Sequence, residues 1–207
     1  MSYAVIEPHK TALLFFDMLN AYHSNDEPVV QECARLRNVA DEASIPVFFA
    51  MANHRPDGAD AAMLYSDTGY GMKPWEDPEH EHIGMRRSMV AGSHEIQILD
   101  ALSPKPEDYV IKKHRWSAFF QTSLELSLRT RGIDTIMLCG GSVSVGIAST
   151  AYAARDFDYN LIIVSDACSD SLEGSHEYWM TRVFPKIARV RTVDQTIDMV
   201  RAGMAVR

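Results

Sequence analysis

The stretch IDTIMLCGGSVSVGIASTAYAARD, residues 133–156, decides the fold. It opens with a short apolar run, residues 135–139, which is typical of a strand buried on both faces of a sheet. Two glycines follow, and the small, one-sidedly apolar segment 144–156 then predicts a helix. A strand, a glycine turn and a helix in direct succession form the repeating unit of a parallel α/β sheet.

The same alternation extends outward along the chain. Further apolar runs occupy residues 11–16, 45–51, 108–112 and 160–165, and residues 188–192 add a candidate edge strand. Helical spacing of apolar residues covers 28–42, 122–131, 176–187 and 192–202. We therefore predict one domain over residues 1–207, with a doubly wound parallel β-sheet of about six strands flanked by helices on both faces.

One long segment, residues 52–93, shows neither helical nor strand periodicity. It contains several glycines and prolines, the aromatic residue Trp75 and an acidic-histidine cluster around His80 and His82. A loop of this length in a compact domain is typically a lid, a binding loop or an oligomer contact. We predict a lid-like insertion, since the segment is too short to form a domain.

Composition limits the class of partner. The net charge of −8 disfavours nucleic acid and anionic membranes, which both require basic surface. No apolar run approaches the roughly 20 residues of a membrane span, and residues 1–10 lack the apolar region of a signal peptide. Three scattered cysteines do not make a disulfide framework. We expect a cytoplasmic protein that acts on a small molecule.

In an open parallel sheet, ligands bind beyond the carboxyl ends of the strands. Asp17 follows the first predicted strand, His54 the second and Lys113 the third, and the turn 140–143 follows the fourth. Lys112 competes with Lys113 for the same role, but strand alternation sends the two side chains to opposite faces. The sequence thus predicts a polar site in which an acid, an ammonium group and the backbone N–H groups of a turn converge.

Four segments carry a family resemblance: LLFFDMLNAY (13–22), VIKKHRWSAF (110–119), the stretch 133–156 and YNLIIVSDACSD (159–170). In this order and spacing they resemble the isochorismatase-like (cysteine hydrolase) family. The resemblance implies that Asp17 is the catalytic aspartate and that Lys113, four residues before Ser-Ala-Phe, is the catalytic lysine. It also implies a turn that often contains a cis peptide. Through Gly141, Ser142 and Val143 that turn would supply an oxyanion hole. The resemblance further implies a homo-oligomer, dimer or tetramer.

The sequence departs from the family pattern at the nucleophile. The family cysteine stands six residues after the first glycine of the turn, and here that position is Gly146. Covalent thioester chemistry at this position is therefore excluded. Isochorismatases proper resemble this chain in having glycine there, because vinyl-ether cleavage needs an acid and water but no thiol. Leu19 replaces the glutamine of many relatives, which points to a different substrate.

The leading prediction is therefore a hydrolase of a small carboxylate substrate, with Asp17 as general acid/base, Lys113 as its electrostatic partner and no covalent cysteine. The bond is a vinyl ether or an amide. Two alternatives stay open: a C–N hydrolase that uses a displaced thiol, Cys139 or Cys168, and a non-catalytic binding or scaffold protein.

Aromatic and histidine side chains complete the predicted site. Trp75 and Trp116 are candidates to line the substrate pocket, and His54 to contact the substrate. His54 occupies a place where nicotinamidases in the family bind metal, but residue 52 is alanine rather than aspartate. We accordingly expect no metal and no organic cofactor.

Overall fold

A computed structural model describes residues 5–60 and 89–206 of the protein. Most of the predicted lid 52–93 lies outside the described residues, and so do Trp75, His80 and His82. Among the residues described, no helix combines the length and the apolar character that crossing a bilayer requires.

Over residues 5–60 and 89–206, six parallel strands form one sheet in the order β3-β2-β1-β4-β5-β6, which confirms the predicted fold class. Their bounds are β1 Thr11–Phe16, β2 Val47–Ala52, β3 Tyr109–Lys113, β4 Thr135–Gly141, β5 Asn160–Ser169 and β6 Arg189–Arg191. Every residue of β1, β2 and β4 is buried. These strands are covered on both faces, which explains why they read as continuous apolar runs rather than as alternating ones.

In the described part of the chain, five α-helices accompany the strands: α1 Pro28–Glu42, α2 Leu124–Arg129, α3 Ala148–Asp156, α4 Ser175–Tyr178 and α5 Val193–Met204. The bounds of α1 are those predicted, because Pro28 stands at its first turn and Val30, Cys33 and Leu36 repeat at helical spacing on the buried side. A π-helical turn, Val143–Ile147, precedes α3.

Most other predicted elements are shifted at an end by one or two residues, and two differ more from the prediction. Strand β5 continues to Ser169 instead of ending at Ser165, and its pairing with β4 shifts register between Leu138 and Gly140. The helix predicted over 176–187 is wrong as one element. It divides into α4, a π-helical turn over Trp179–Val183 and a 3-10 turn over Phe184–Lys186. Pro185 lies in the last turn, and proline cannot donate the hydrogen bond that a continuous α-helix needs.

Aromatic side chains tie the centre of the sheet together. Phe15 of β1 stacks on Phe49 of β2, with ring centroids 5.2 Å apart, and Phe48 stacks on Tyr109 of β3 at 4.5 Å. Fully burying a side chain of this size stabilises the fold by about 1.5–3 kcal/mol. The strands that carry the predicted site residues are thus held rigidly side by side.

Candidate active site

A buried ion pair joins the ends of two strands. Asp17 directly follows β1, Lys113 ends β3, and Lys113 Nζ lies 2.7 Å from Asp17 Oδ2. The Lys113 side chain is 5% exposed and that of Asp17 10%. Lys112 is exposed, as strand alternation predicts. The structure therefore brings the predicted acid and the predicted ammonium group into direct contact.

The backbone of β2, which lies between β1 and β3, holds Asp17 in place. The Ala52 N–H donates to Asp17 Oδ1 at 3.0 Å, and the Asp17 N–H donates to the Ala50 carbonyl at 2.8 Å. Asp17 itself adopts a left-handed backbone conformation, with φ 48°, which aspartate tolerates better than most residues. Both carboxylate oxygens therefore accept a hydrogen bond, Oδ1 from the Ala52 N–H and Oδ2 from Lys113 Nζ.

Phe16 forms an apolar wall beside this pair. Lys113 Nζ lies 4.4 Å from the centroid of the Phe16 ring, a cation–π contact that is worth about 2 kcal/mol when water is excluded. The same ring also packs against the helix start that carries Gly146. A Cβ atom built on Gly146 would lie 2.1 Å from Phe16 Cε1 and 2.4 Å from Phe16 Cζ. The Phe16 ring therefore takes the space in which a cysteine side chain at residue 146 would begin.

The turn between β4 and α3 contains a cis peptide bond between Gly141 and Ser142. Gly140 has φ 117°, and a Cβ atom there would lie 2.1 Å from the Phe16 carbonyl oxygen, so only glycine fits. The side chain of Val143 is fully buried, which leaves only its backbone to meet a ligand. Gly141 is buried at the end of β4 and Ser142 is half-buried, and substrate binding by Gly141, Ser142 and Val143 stays a prediction.

An internal carboxylate caps the start of this helical segment. Asp170 accepts hydrogen bonds from the Ser144 N–H at 2.6 Å, from the Leu172 N–H at 3.0 Å and from Ser175 Oγ at 3.3 Å. The sequence predicted that backbone N–H groups of this turn face the substrate. The Ser144 donor is already satisfied by Asp170, a residue that sequence reasoning did not single out.

His54 belongs to a cluster that sequence reasoning did not foresee. Asp60 lies between two imidazoles, 3.3 Å from His54 Nδ1 and 3.2 Å from His114 Nδ1. Within residues 5–60 and 89–206 this is the group whose ligand atoms, all within 4.8 Å of one another, could hold a metal ion. Burial lowers the pKa of His54, although Asp60 opposes the shift, so the neutral imidazole that metals bind is favoured.

The local sequence around His54 could not show whether this cluster forms, because its members are not neighbours in the chain. The aspartate absent at residue 52 is replaced by one eight residues further on, and His114 enters from the end of β3. The only feature of the sequence that pointed to His114 as a site residue was its position next to Lys113. Trp116, predicted to line the pocket, is 42% exposed.

The three free cysteines, Cys33, Cys139 and Cys168, are all buried. Burial raises the pKa of both Cys139 and Cys168 well above the ordinary value for a thiol. A thiol kept protonated and away from solvent is a poor nucleophile. The geometry thus counts against the displaced-thiol alternative.

A doubly wound α/β sheet with a buried acid–ammonium pair and a glycine turn at its carboxyl edge defines a class of proteins that bind ligands at that edge. The chain belongs to the isochorismatase family: the family model described as Isochorismatase domain matches residues 11–195. It is also similar to the isochorismatase family protein YecD of Escherichia coli O157:H7. The two are 45% identical over 98 residues, 47% of this chain and 52% of YecD, so the match spans about half of that relative.

Two other relatives match over more of their length. A probable isochorismatase of Pseudomonas chlororaphis is 26% identical over 197 residues, covering 93% of this chain and 87% of that protein. Among solved structures, N-carbamoylsarcosine amidase from Thermoplasma acidophilum superposes with a TM-score of 0.69 at 25% identity, covering 89% of this chain and 97% of that one.

Proposed function

We propose that the protein is a hydrolase that cleaves a small carboxylate-bearing substrate by acid/base chemistry at Asp17, without a covalent cysteine. The observation that carries this proposal is the buried contact of 2.7 Å between Lys113 Nζ and Asp17 Oδ2, in a chain whose residue 146 is a glycine and offers no thiol. A charged pair this deeply buried is costly to maintain, and such pairs are concentrated at functional sites.

Substrate binding changes the partner of Lys113. A substrate carboxylate that approaches the Lys113 ammonium competes with Asp17 for it. Once Asp17 shares or loses that counter-ion, two carboxylates lie close together in a buried site, and Asp17 takes up a proton from solvent, which relieves their repulsion. The substrate thereby generates the acid form that protonation chemistry requires.

For a vinyl ether, Asp17 then transfers its proton to the terminal carbon of the enol ether. The resulting oxocarbenium ion is attacked by water, which returns a proton to Asp17, and the hemiketal collapses to a carbonyl compound and an alcohol. No step of this reaction needs a side chain at residue 146. The name of the Pseudomonas chlororaphis relative, a probable isochorismatase, agrees with this reaction.

An amide is the second candidate bond. Here the resting carboxylate of Asp17 removes a proton from water, the hydroxide adds to the carbonyl, and Lys113 stabilises the oxyanion before the amine leaves with the proton. The similarity to N-carbamoylsarcosine amidase favours testing amides and ureides. In both reactions Asp17 transfers the proton, and Lys113 stabilises a negative charge, that of the substrate carboxylate in the first and that of the oxyanion in the second.

The test is turnover of isochorismate and of a panel of small amides and ureides by the wild type, Asp17→Asn and Lys113→Met. Product formation is followed by NMR, which identifies the broken bond. We expect the loss of a positioned acid/base to slow turnover about 100-fold or more. Lys112→Met, which alters the exposed neighbour, is the matched control and should retain full activity.

Two outcomes would favour the alternatives. Inhibition by iodoacetamide that Cys139→Ala or Cys168→Ala abolishes would support a thiol nucleophile. Tight ligand binding with no turnover across the panel would support a non-catalytic binding protein. The homo-oligomer, dimer or tetramer, and the cytoplasmic location stay predictions; sedimentation at the monomer mass would contradict the first.

A further inference from the structure

A second hydrogen-bonded series of polar side chains lies at the same edge of the sheet. Ser169 ends β5, His23 lies in the loop after β1, and Glu27 immediately precedes α1. Ser169 Oγ is 3.3 Å from His23 Nε2, and His23 Nδ1 is 2.7 Å from Glu27 Oε2. None of the three takes part in the Asp17 chemistry.

The direction of the hydrogen bonds follows from Glu27. The hydrogen bond from His23 lowers the pKa of Glu27, and the Ser24 N–H, which donates to Glu27 Oε1 at 2.9 Å, lowers it further. Glu27 is therefore ionised and can only accept, so His23 Nδ1 carries a hydrogen. In the neutral ring Nε2 is then the acceptor, and the Ser169 hydroxyl donates to it.

The surroundings preserve this arrangement. Strand pairing places Ser169 opposite Gly141, and a Cβ atom on Gly141 would lie 2.9 Å from Ser169 Oγ and 3.1 Å from His23 Nε2. A side chain at residue 141 would thus push into the serine–histidine contact. The His23 side chain is 7% exposed, whereas Ser169 is only half-buried, so the base is held rigidly and the hydroxyl lies nearer to solvent.

We propose that Ser169 is a nucleophile, with His23 as its general base and Glu27 as the residue that orients the imidazole, and that this site hydrolyses small carboxylic esters. A nucleophile, a base and an orienting third group in hydrogen-bond series is the arrangement that activates hydroxyl nucleophiles on unrelated folds. This activity goes beyond the function proposed above and does not depend on Asp17.

The reaction balances with water as the only co-reactant. Ser169 Oγ bonds to the ester carbonyl carbon while its proton passes to His23 Nε2. The ester C–O bond then breaks, and the leaving alcohol takes that proton. Water attacks the acyl-serine, His23 accepts a proton from it, and the proton returns to Ser169 Oγ as the carboxylic acid leaves.

The test uses diisopropyl fluorophosphate, which bonds covalently to activated serines, on the whole 207-residue chain. We expect one adduct per chain, located at Ser169 by peptide mass mapping, absent in Ser169→Ala and formed at least about 100-fold more slowly in His23→Gln. The matched control is Ser165→Ala, which removes another half-buried hydroxyl of β5 and should label at the wild-type rate.

A structural role alone would give a different result. If the three residues only tether α1 to β5, Ser169→Ala lowers the melting temperature but the wild type forms no adduct at Ser169, and the proposal is overturned. Asp17→Asn separates the two proposals, because it should still label at Ser169. If turnover depends on Asp17 but Ser169 is not labelled, only the serine site is refuted. If Ser169 is labelled but no turnover depends on Asp17, only the proposed acid/base hydrolase function is refuted.

Discussion

Phe16 and Gly146 are complementary: the Phe16 ring fits against the helix start because residue 146 has no side chain, with Cε1 2.1 Å from where a Cβ would be. The position of the family cysteine is thus filled by a packed contact and is not an open space. Replacing glycine by cysteine alone would not restore the nucleophile, since the thiol and the buried ring would compete for one volume.

The first prediction concerns this contact. Gly146→Ala should lower the free energy of unfolding by about 1–2 kcal/mol, because overpacking costs about 1–3 kcal/mol and removal of a helix glycine regains up to about 1 kcal/mol. Urea unfolding with an unchanged m-value measures it. In the Phe16→Leu background the cost should vanish. Equal costs in both backgrounds would contradict the contact.

The second prediction concerns the stability of the ion pair. Lys113→Met leaves Asp17 buried without its counter-ion and should destabilise the protein by about 3–5 kcal/mol. Adding Asp17→Asn should recover much of that loss, since the uncompensated charge is then gone. Lys112→Met should change stability by no more than about 0.5 kcal/mol. Additive losses in the double variant would show that the two side chains do not interact.

The third prediction is a pH dependence at Asp170. Burial raises the pKa of Asp170, but hydrogen bonds donated by Ser144, Leu172 and Ser175 lower it more, and the net pKa lies below the ordinary value. A lowered folded-state pKa gives stability that is present above the unfolded value, about 3.9, and is lost as pH falls through the folded value. Asp170→Asn should therefore be less stable than the wild type at pH 7, by about 1 kcal/mol.

That difference between wild type and Asp170→Asn should shrink as the pH falls below about 4. Thermal unfolding from pH 7 to pH 3 measures it. A difference that stays constant over this range would mean that the carboxylate charge plays no part in capping the segment.

The fourth prediction concerns the cluster of His54, Asp60 and His114. Three ligand atoms within 4.8 Å suit Zn²⁺ and leave a fourth position open. We expect zinc to raise the melting temperature, by an amount equivalent to about 2.7 kcal/mol at 100 times its Kd, and a chelator to reverse the rise. His114→Ala should lose the effect and the exposed-histidine control His9→Ala should keep it. The same rise in His114→Ala would assign the binding elsewhere.

Much of the fold could be predicted because burial on both faces leaves a simple pattern. The run 11–16 became β1 and the helix 28–42 became α1 with unchanged bounds. The segment 176–187 was predicted less well, since a single π or 3-10 turn is too short for its different number of residues per turn to show in the apolar pattern.

By itself the sequence determined the class of the sheet, the edge at which polar residues collect and the absence of a thiol at residue 146, because these depend on residue type and local period. Only the tertiary structure decided that Phe16 packs against Gly146, that Asp60 joins His54 to His114, and that Ser169 meets His23. The partners in these contacts are separated by up to 146 positions along the chain. No local period encodes such pairings, because they arise only when the strands and loops pack side by side.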